Sequence, residues 1–381
     1  MKFAHISDLH LGKRLNGFSM LEEQKYILEE ILKILQKEQV SAVWMAGDIY
    51  DKPVPPAEAV TLFDDFLVQL ADKKYSVFII SGNHDSPERI AFGSRLMAAR
   101  NIYLSPVYDG KVEPILLEDE HGDINIYMIP FVKPIHVRHF FQEEEIASYT
   151  EAVKCAVEHM NVDEKKRNVI LAHQFVTGAL KSDSEDISVG GLDNVDAEVF
   201  EVFDYAALGH IHRSQSMGNE RVRYSGTPLK YSFSEVTHEK SVTIVDMKEK
   251  GNIDIYTVPL VPQHDLTKIK GSFEEVMSSD FEKNMDKEAY VHVTLTDEVD
   301  IPNAFHKLQT VYPNIMQMEY EVRSKKNHSV LEGQSDGKKM DPLELFQEFY
   351  AEMNHQPLQA PQQEYLIEKI NEIWPADGRG K

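Results

Sequence analysis

The sequence of 381 residues contains a single cysteine, Cys155, and two tryptophans. One cysteine excludes a disulfide within the chain, as is typical of proteins kept in a reducing compartment. No apolar run approaches the length of a transmembrane helix. An apolar strand is predicted from Met1-Lys2-Phe3 onward, which leaves no room for a signal peptide. Together these absences predict a cytoplasmic protein with no membrane partner.

Basic residues are scarce. Lysine and arginine number 40 against 63 aspartates and glutamates, so the formal net charge is -23. Proteins that hold nucleic acid unaided carry basic surface. We therefore expect any DNA binding by the isolated chain to be weak. Part of the excess lies in Glu118-Asp119-Glu120 and Glu143-Glu144-Glu145, which we expect to be solvated loops or helix faces.

Five polar motifs each follow a short apolar run. The runs are predicted strands at residues 3–7, 40–45, 76–80, 168–171 and 205–208. The motifs are, in order, Asp8-Leu9-His10, Gly47-Asp48, Gly82-Asn83-His84-Asp85, Ala172-His173 and Gly209-His210-Ile211-His212. Ligands of open α/β sheets bind outside the carboxyl ends of the strands. Motifs far apart in sequence are therefore expected to meet at one edge.

The side chains in these motifs suit metal ions. Besides His84, they comprise Asp8, Asp48, Asn83, His10, His173, His210 and His212. Two divalent ions about 3.5–4 Å apart are a recurrent device for hydrolysing phosphate esters. Mixed oxygen and imidazole ligands without a thiolate suit a six-coordinate borderline cation.

The spacing within the motifs supports this interpretation. In an extended chain, residues i and i+2 share a face, so Asp8 and His10 are expected to point at one ion. His210 and His212 could do the same, or diverge to reach one ion each. Each of Gly47, Gly82 and Gly209 lies in a tight turn before a ligand, where a missing Cβ allows unusual dihedral angles.

The motifs differ in specificity. Asp-x-His alone is weak, because about one chance copy is expected in a chain of this length. His173 alone is more often a satisfied core or surface histidine. Gly-Asn-His-Asp after an apolar strand is a much stronger signal. The ordered combination of all five motifs argues against the alternative that these are unrelated polar residues at the ends of loops.

At these residues the chain resembles the calcineurin-like metallophosphoesterases, over about its first 240 residues. Tyr224-Ser225-Gly226-Thr227-Pro228 and Ser232-Phe233-Ser234-Glu235 narrow the resemblance to SbcD-type nuclease subunits, although Thr227 stands where serine is more common. The implied fold is α/β, a two-sheet sandwich flanked by helices, with a small α/β cap and a C-terminal helix pair.

The resemblance also implies a division of roles. Asp8, His10 and His212 would hold one ion, and Asn83, His173 and His210 the other. Asp48 would bridge the two ions, for which manganese is the implied metal. His84 would face the scissile phosphate as a general acid. Asp85 either orients His84 or caps a helix that begins at Pro87-Glu88.

The domain organisation follows from the pattern along the chain. We predict a nuclease domain at 1–262 and a small DNA-capping domain at 263–324, with alternating strands and helices. A polar linker at 325–340 and a helix-pair segment at 341–381 follow. Apolar residues at helical spacing, Leu28 to Leu35 and Leu62 to Leu70, predict two helices that cover a sheet.

The resemblance implies the function as well. The expected protein is a metal-dependent DNA nuclease subunit, a 3′-to-5′ exonuclease on duplex ends and an endonuclease on single strands or hairpins. It would act in repair, recombination and replication with an SMC-like coiled-coil ATPase that docks on the helix pair. A homodimer within a heterotetramer would form through helices near 57–72 and 87–99. Packing of these helices on the sheet would explain their apolar residues equally well. The alternatives are a phosphoesterase for cyclic nucleotides or other small phosphates, and a DNA-end sensor with a structural metal site.

Overall fold

The structure is a computed structural model. It describes residues 1–185, 193–279, 281, 285–321, 343, 346, 347, 350 and 360–373. The chain divides into two compact units, Met1–Tyr320 and Glu321–Lys381. None of the helices described is both long and apolar enough to cross a bilayer. The linker predicted at 325–340 lies outside the described residues.

The strands are β1 (Lys2–Ile6), β2 (Arg14–Leu15), β3 (Phe18–Ser19), β4 (Ala42–Ala46), β5 (Ser76–Ile80), β6 (Ile102–Leu104), β7 (Ile115–Asp119), β8 (Gly122–Met128), β9 (Arg167–His173), β10 (Phe175–Val176), β11 (Asn194–Val195), β12 (Tyr205–Gly209), β13 (Gln215–Met217), β14 (Asn219–Tyr224), β15 (Ser241–Met247), β16 (Ile253–Pro259), β17 (Leu266–Gly271), β18 (Tyr290–Leu295) and β19 (Ile315–Tyr320). The α-helices are α1 (Leu21–Lys37), α2 (Ala57–Asp72), α3 (Pro87–Ile90), α4 (Ser94–Met97), α5 (Pro134–Arg138), α6 (Tyr149–Glu158), α7 (Phe273–Val276), α8 (Ala304–Gln309) and α9 (Ala360–Ile373). Short 3-10 helices lie at Ala98–Arg100, Ala197–Phe200 and Phe233–Glu235.

Two six-stranded sheets form the framework of the first unit. The first has the order β16-β15-β1-β4-β5-β6, and the second has the order β13-β14-β12-β9-β8-β7. In the first sheet β1, β4, β5 and β6 are parallel, and β15 and β16 extend it as an antiparallel pair. In the second sheet β14, β12, β9 and β8 are parallel, between antiparallel edge strands. All five strands predicted before the motifs are present.

The two sheets pack face to face, as the alternation along each strand dictates. On β4, Trp44 points to the space between the sheets, and its neighbours Val43 and Met45 point to the helices. Trp44 stacks on Phe3 at 4.2 Å and on Tyr205 of the opposite sheet at 5.5 Å. Both faces of these strands are buried, which explains their continuous apolar sequence.

Helices cover the outer faces. The predicted apolar stripes of α1 and α2 lie against the first sheet, and Ile31, Leu35, Phe66 and Leu70 are fully buried there. Helix α6 packs on the second sheet and buries Cys155. The predicted sandwich flanked by helices is confirmed.

The segment after the sandwich forms a smaller layer within the same unit. Strands β17, β18 and β19 make a parallel three-stranded sheet with α7 and α8, and this sheet has its own apolar core. The predicted order of strand, helix, strand, helix and strand is confirmed, as is the β15–β16 hairpin. The predicted boundary between residues 262 and 263 stays a prediction.

In the second unit, α9 occupies most of the stretch predicted as the second helix of the pair. Of the first helix, the structure describes residues 343, 346, 347 and 350, all of them helical. The side chain of Tyr365 is 63% exposed and that of Phe346 is 41% exposed. The sequence favours Asp341, directly before Pro342, as the N-cap of the first helix, and this residue lies outside the described residues.

Candidate dimetal site

The five motifs converge at one edge of the sandwich. β1, β4 and β5 are neighbours in the first sheet, and β9 and β12 are neighbours in the second. Each motif stands at or directly after the carboxyl end of its strand. Six of the side chains proposed as ligands are buried, namely those of Asp8, His10, Asp48, His173, His210 and His212. Asn83 and His84 are half-buried.

The backbone of the ligand loops is strained rather than extended. Asp8, His10 and Asp48 have φ angles of 54°, 45° and 50°, and His210 has a φ of 103°. Such values cost free energy in residues other than glycine and concentrate at functional sites. The extended-chain argument for Asp8 and His10 is therefore wrong. The two loops instead pair with each other, since His10 N–H donates to the Asp48 carbonyl at 3.0 Å.

Asp8, His10 and His212 form one group of converging donors. Their ligand atoms lie within 4.8 Å of one another. Nε2 of His10 is 3.1 Å from Nε2 of His212. Two imidazole nitrogens that each lie about 2.1 Å from one cation, with a right angle between the two metal–nitrogen bonds, would be about 3.0 Å apart. The observed separation fits that arrangement.

Asn83, His173 and His210 form a second group. Oδ1 of Asn83 lies 3.0 Å from Nε2 of His173 and 2.9 Å from Nδ1 of His210. His210 and His212 therefore diverge to different groups, as one of the two interpretations of the His-x-His motif predicted.

His173 gives the clearest test of whether a cation fits. Its Nδ1 donates to the Ala46 carbonyl at 2.7 Å, so a neutral ring presents a lone pair at Nε2. That lone pair would face two acceptors, Asn83 Oδ1 at 3.0 Å and Asp48 Oδ2 at 3.3 Å. Acceptors that face one another require a positive charge between them. The donor set therefore fits a divalent cation.

The pKa values show how the side chains of this cluster share protons. Burial lowers the pKa of His173, but the Asp48 carboxylate outweighs burial and raises it to about 9. Burial and the His173 charge lower the pKa of His210 to about 3, which leaves its ring neutral and able to bind a metal. Burial raises the pKa of Asp8 to about 6, against the pull of His173. A bound cation would take the place of the extra protons.

The glycines of the motifs serve the close approach of the loops. Gly47 has a φ of 88°, as the turn argument requires. Gly82 and Gly209 do not have a positive φ, and for them the prediction of unusual dihedrals is wrong. A Cβ on Gly82 would lie 2.1 Å from Oδ1 of Asp48, and one on Gly209 would lie 1.8 Å from the Ala46 carbonyl oxygen. Their lack of a side chain makes room for the cluster.

His84 lies beside the first group. Its Nδ1 donates to the Asp51 carbonyl at 3.1 Å, and its backbone N–H donates to Oδ1 of Asp48 at 2.9 Å. The His84 ring meets that of His10 edge to face, with centroids 4.9 Å apart. Ligand atoms of His10, Asp48 and His84 also converge within 4.8 Å. The division between ligand and general acid stays a prediction.

Asp85 has a role that the sequence did not suggest. Its carboxylate accepts backbone hydrogen bonds from Ile49, Tyr50 and Gly82 at 3.1, 2.9 and 2.9 Å. It therefore joins the Asp48 loop to the turn before Asn83. The interpretation of Asp85 as a helix cap is wrong, because Ser86 is the N-cap of α3.

Several supporting residues were missed as site residues. Nδ1 of His212 lies 2.6 Å from the Ser184 hydroxyl and 3.6 Å from Oε1 of Glu235, which is fully buried. Lys240 forms a buried ion pair with Glu235 and donates to the His212 carbonyl at 2.9 Å. Glu235 lies in the Ser-Phe-Ser-Glu sequence that carried the resemblance, and that was its only signal.

Two family models match the sequence of this chain. Residues 1–214 match the family described as calcineurin-like phosphoesterase. Residues 262–354 match the family SbcD_C, described as Type 5 capsule protein repressor C-terminal domain.

Two curated relatives both carry the name of the SbcD component of the nuclease SbcCD. The protein of Staphylococcus epidermidis is 32% identical over 99% of this chain and 100% of its own length. That of Staphylococcus saprophyticus is 30% identical over 97% of each chain.

Solved structures are more distant. A dimetal phosphatase from Danio rerio covers 68% of this chain and 99% of its own, with 11% identity and a TM-score of 0.37. TT1561 of Thermus thermophilus covers 67% of this chain and 98% of its own, with 10% identity and a TM-score of 0.36. The assignment therefore depends on the sequence matches. By those matches, the chain belongs to the calcineurin-like phosphoesterases and, within them, to the family of SbcD proteins of the SbcCD nuclease.

Proposed function

We propose that this chain is a nuclease subunit that hydrolyses DNA phosphodiesters with two divalent cations, for which manganese is our choice. The convergence of seven oxygen and nitrogen donors at one edge of the sandwich carries the proposal. Asp8, His10 and His212 would hold one cation, and Asn83, His173 and His210 would hold the other. Asp48 would serve both, since its Oδ2 lies 3.7 Å from Nε2 of His10 and 3.3 Å from Nε2 of His173.

When bound, the cations supply Lewis acidity and make water a nucleophile near neutral pH. The protein's own part is to position the groups. The Asp51 carbonyl fixes the His84 ring through Nδ1, so Nε2 is the nitrogen that exchanges a proton with the leaving oxygen. Asp85 keeps the Asp48 loop and the Asn83 turn in register through backbone hydrogen bonds.

The names of the relatives support nuclease activity as a subunit of an SbcCD complex. We propose DNA as the substrate and an SbcC-type ATPase as the partner. We propose 3′-to-5′ exonuclease action on duplex ends and endonuclease action on single strands or hairpins, in DNA repair, recombination and replication. The net charge of -23 favours a partner that contributes positive surface. A cytoplasmic, nucleoid-associated location follows from that activity.

We also propose a homodimer within a heterotetramer. The apolar face of α2 packs on the sheet through Phe63 and Phe66. Farther along the chain, the side chain of Phe92 is 84% exposed and that of Leu96 is 82% exposed. Both lie in the stretch 87–99, where the resemblance places a dimer contact. Exposed apolar side chains of this size favour a protein interface.

Residues 1–262 form the proposed nuclease domain, and residues 263–324 form the proposed DNA-capping domain. The separate apolar core of the β17–β19 sheet supports this division. The linker at 325–340 and the docking segment at 341–381 complete the proposed organisation.

One assay tests the function. The purified chain with manganese is given a linear DNA duplex and bis(p-nitrophenyl) phosphate in parallel, with and without the coiled-coil ATPase. The Asp48→Asn variant is the control for contaminating nucleases. Shortening of the duplex by the wild-type chain supports the proposal. Hydrolysis of the small ester alone identifies a small-phosphate esterase, and DNA binding without hydrolysis identifies an end sensor.

A further inference from the structure

A basic pocket of about 370 Å³ lies beside the candidate dimetal site. We define the basic pocket by Arg213, Ser214, Arg223, His238, Lys240 and Thr257, which line it. Its walls come from β14, from the β15–β16 pair, and from the connecting segments 213–214 and 237–240. β14 neighbours β12 in one sheet and β15 neighbours β1 in the other, and β12 and β1 both carry candidate ligands.

The basic pocket and the metal ligands lie at the same end of the sandwich. Arg223 stands opposite Ala207 in the middle of β12, and Arg213 directly follows the candidate ligand His212. Ser241, which also lines the pocket, begins the antiparallel strand β15, and Thr243 of that strand stands opposite His5 near the end of β1. Neighbouring strands are about 4.8 Å apart. The pocket is therefore one strand away from the cluster along the edge.

The charge of the basic pocket is unusual in so acidic a chain. Within the described ranges, neither Arg213 nor Arg223 forms an ion pair. Nε of Arg223 and Nδ1 of His238 are buried with no hydrogen-bond partner in that part of the chain. Lys240 is neutralised by Glu235, and the exposed Glu239 brings one opposing charge. An unpaired buried guanidinium N–H is destabilising, so an anionic acceptor beside Arg223 would stabilise this arrangement.

The lining favours a phosphate group. Guanidinium groups bind phosphate oxygens through paired hydrogen bonds. The hydroxyls of Ser214, Thr237, Ser241 and Thr257 add the donors that commonly hold a DNA backbone. We propose that the basic pocket binds a backbone phosphate of the same DNA strand, on one side of the phosphodiester that is cleaved. This inference depends on the proposed function.

Such a contact would set the register of the strand at the metal cluster. Lys240 donates to the His212 carbonyl at 2.9 Å and to Thr227 Oγ1 at 2.6 Å, so the wall of the pocket is joined directly to a ligand loop. Arg213 is an exposed residue of the pocket lining, and acts as a positioning residue. Its loss should weaken DNA binding and leave the chemistry on a small ester intact.

The first test measures binding without hydrolysis. Arg213→Gln is compared with Arg221→Gln, a matched control on β14 whose side chain donates to the Gly251 carbonyl at 3.0 Å and does not line the pocket. Fluorescence anisotropy follows a labelled single-stranded oligonucleotide bound to the chelator-treated chain over a range of salt. One lost phosphate contact lowers the slope of log affinity against log salt by about 0.7. We expect that drop for Arg213→Gln only, and equal slopes for the two variants would overturn the proposal.

The second test locates the phosphate. Oligonucleotides that each carry one neutral methylphosphonate, at successive positions around the cleaved bond, are given to the manganese-loaded chain. In the wild type, one position should raise KM about tenfold. Arg213→Gln should already have the raised KM for the unmodified oligonucleotide, and the methylphosphonate at that position should raise it no further. Arg223→Gln should behave in the same way. Additive effects at every position would refute the pocket as the binding site.

Two controls separate this inference from the function it depends on. Hydrolysis of bis(p-nitrophenyl) phosphate should be unchanged in Arg213→Gln, and a parallel fall would mean that the pocket only supports the metal site. A wild-type chain that cleaves no DNA would refute the proposed function. The binding test would still decide whether the basic pocket holds phosphate. Loss of binding to acidic peptides rather than to DNA would identify a protein carboxylate as the ligand.

Discussion

Oδ2 of Asp48 lies 3.3 Å from Nε2 of His173 and 3.7 Å from Nε2 of His10, which belong to different donor groups. Its other oxygen, Oδ1, accepts the backbone N–H of His84 at 2.9 Å. One buried carboxylate thus joins both donor groups to the residue proposed as general acid. Burial raises the pKa of Asp48, but the positive charge of His173 outweighs burial and holds it well below its ordinary value.

Asp48→Ala should abolish hydrolysis and remove at least one metal equivalent, because both proposed cations share this carboxylate. Asp48→Asn keeps an acceptor for the His84 N–H and isolates the loss of charge. Metal analysis and the manganese-dependent nuclease assay check the outcome, with Asp64→Asn on the exposed side of α2 as the control. Near-normal activity with two ions bound would contradict the bridging role.

His84→Gln should lose most of its turnover and retain both ions. General acid catalysis contributes roughly 10²–10⁴-fold in typical enzymes, and no proposed ligand is removed. The variant is measured for kcat and for bound manganese in the same preparation. A collapse in metal content would identify His84 as a ligand and overturn the division of roles.

The position of the site was predictable because the signals for it are local. Each ligand motif adjoins a strand buried on both faces, such as β4 with Val43, Trp44 and Met45, and such strands have continuous apolar sequence. Parallel strands in one sheet bring their carboxyl ends together, which accounts for the meeting of Asp48 and Asn83 after β4 and β5. The meeting of Asp48 with His173 also needs the two sheets to pack face to face, because β4 and β9 belong to different sheets.

The supporting contacts were not predictable, because they depend on tertiary packing. Asp85 binds the backbone of Ile49 and Tyr50, which lie 36 and 35 positions earlier in the chain. The pattern of the Asp8 motif suggested an extended strand, whereas the loop has a φ of 54° there. A periodicity of two residues cannot report a left-handed backbone.

Glu235→Gln should weaken manganese binding by about 10–100-fold, because groups that orient a metal-bound histidine tune its affinity. Burial raises the pKa of Glu235, but His212 and Lys240 lower it to about 2, so the carboxylate is ionised near neutral pH. Isothermal titration with manganese measures the effect, with the exposed Glu239→Gln as the control. Unchanged affinity would show that Glu235 serves only to pair Lys240.

The acidic run at Glu118-Asp119-Glu120 gives a prediction for stability. The expectation that this run is solvated is wrong for Asp119, whose side chain is 5% exposed at the end of β7 and pairs with Arg167 at 2.5 Å. Burial raises the pKa of Asp119, but Arg167 and the N-terminal ammonium outweigh burial and hold it well below its ordinary value. The pair therefore stabilises the fold above the unfolded pKa of about 3.9 and loses that effect as the pH falls.

Arg167→Met should lower the free energy of unfolding by about 1–3 kcal/mol at neutral pH, since the buried Asp119 carboxylate loses one of its two cationic partners and keeps the N-terminal ammonium at 3.0 Å. The difference from the wild type should narrow as the pH falls below about 3.9, where Asp119 becomes protonated in the unfolded chain but stays ionised in the folded wild type. Urea unfolding of the chelator-treated chain at several pH values measures it. Lys166→Met, which breaks an exposed pair with Asp123 at 3.5 Å, should cost less than about 1 kcal/mol. A difference that stays constant down to pH 3 would contradict the assignment to Asp119.

Deleting residues 340–381 should leave manganese-dependent nuclease activity intact and end co-purification with the coiled-coil ATPase. On α9, Tyr365 is 63% exposed and Ile367 is 40% exposed, as expected of a helix whose apolar residues bind a partner. A short helix pair cannot bury two apolar stripes by itself, and an amphipathic helix typically docks in a groove. The alternative, in which these residues pack on the chain's own nuclease domain, predicts a truncated protein that unfolds at a lower temperature. Thermal melts, nuclease assays and pull-downs on one truncated preparation distinguish the two, and full-strength ATPase binding by that preparation would refute the docking role.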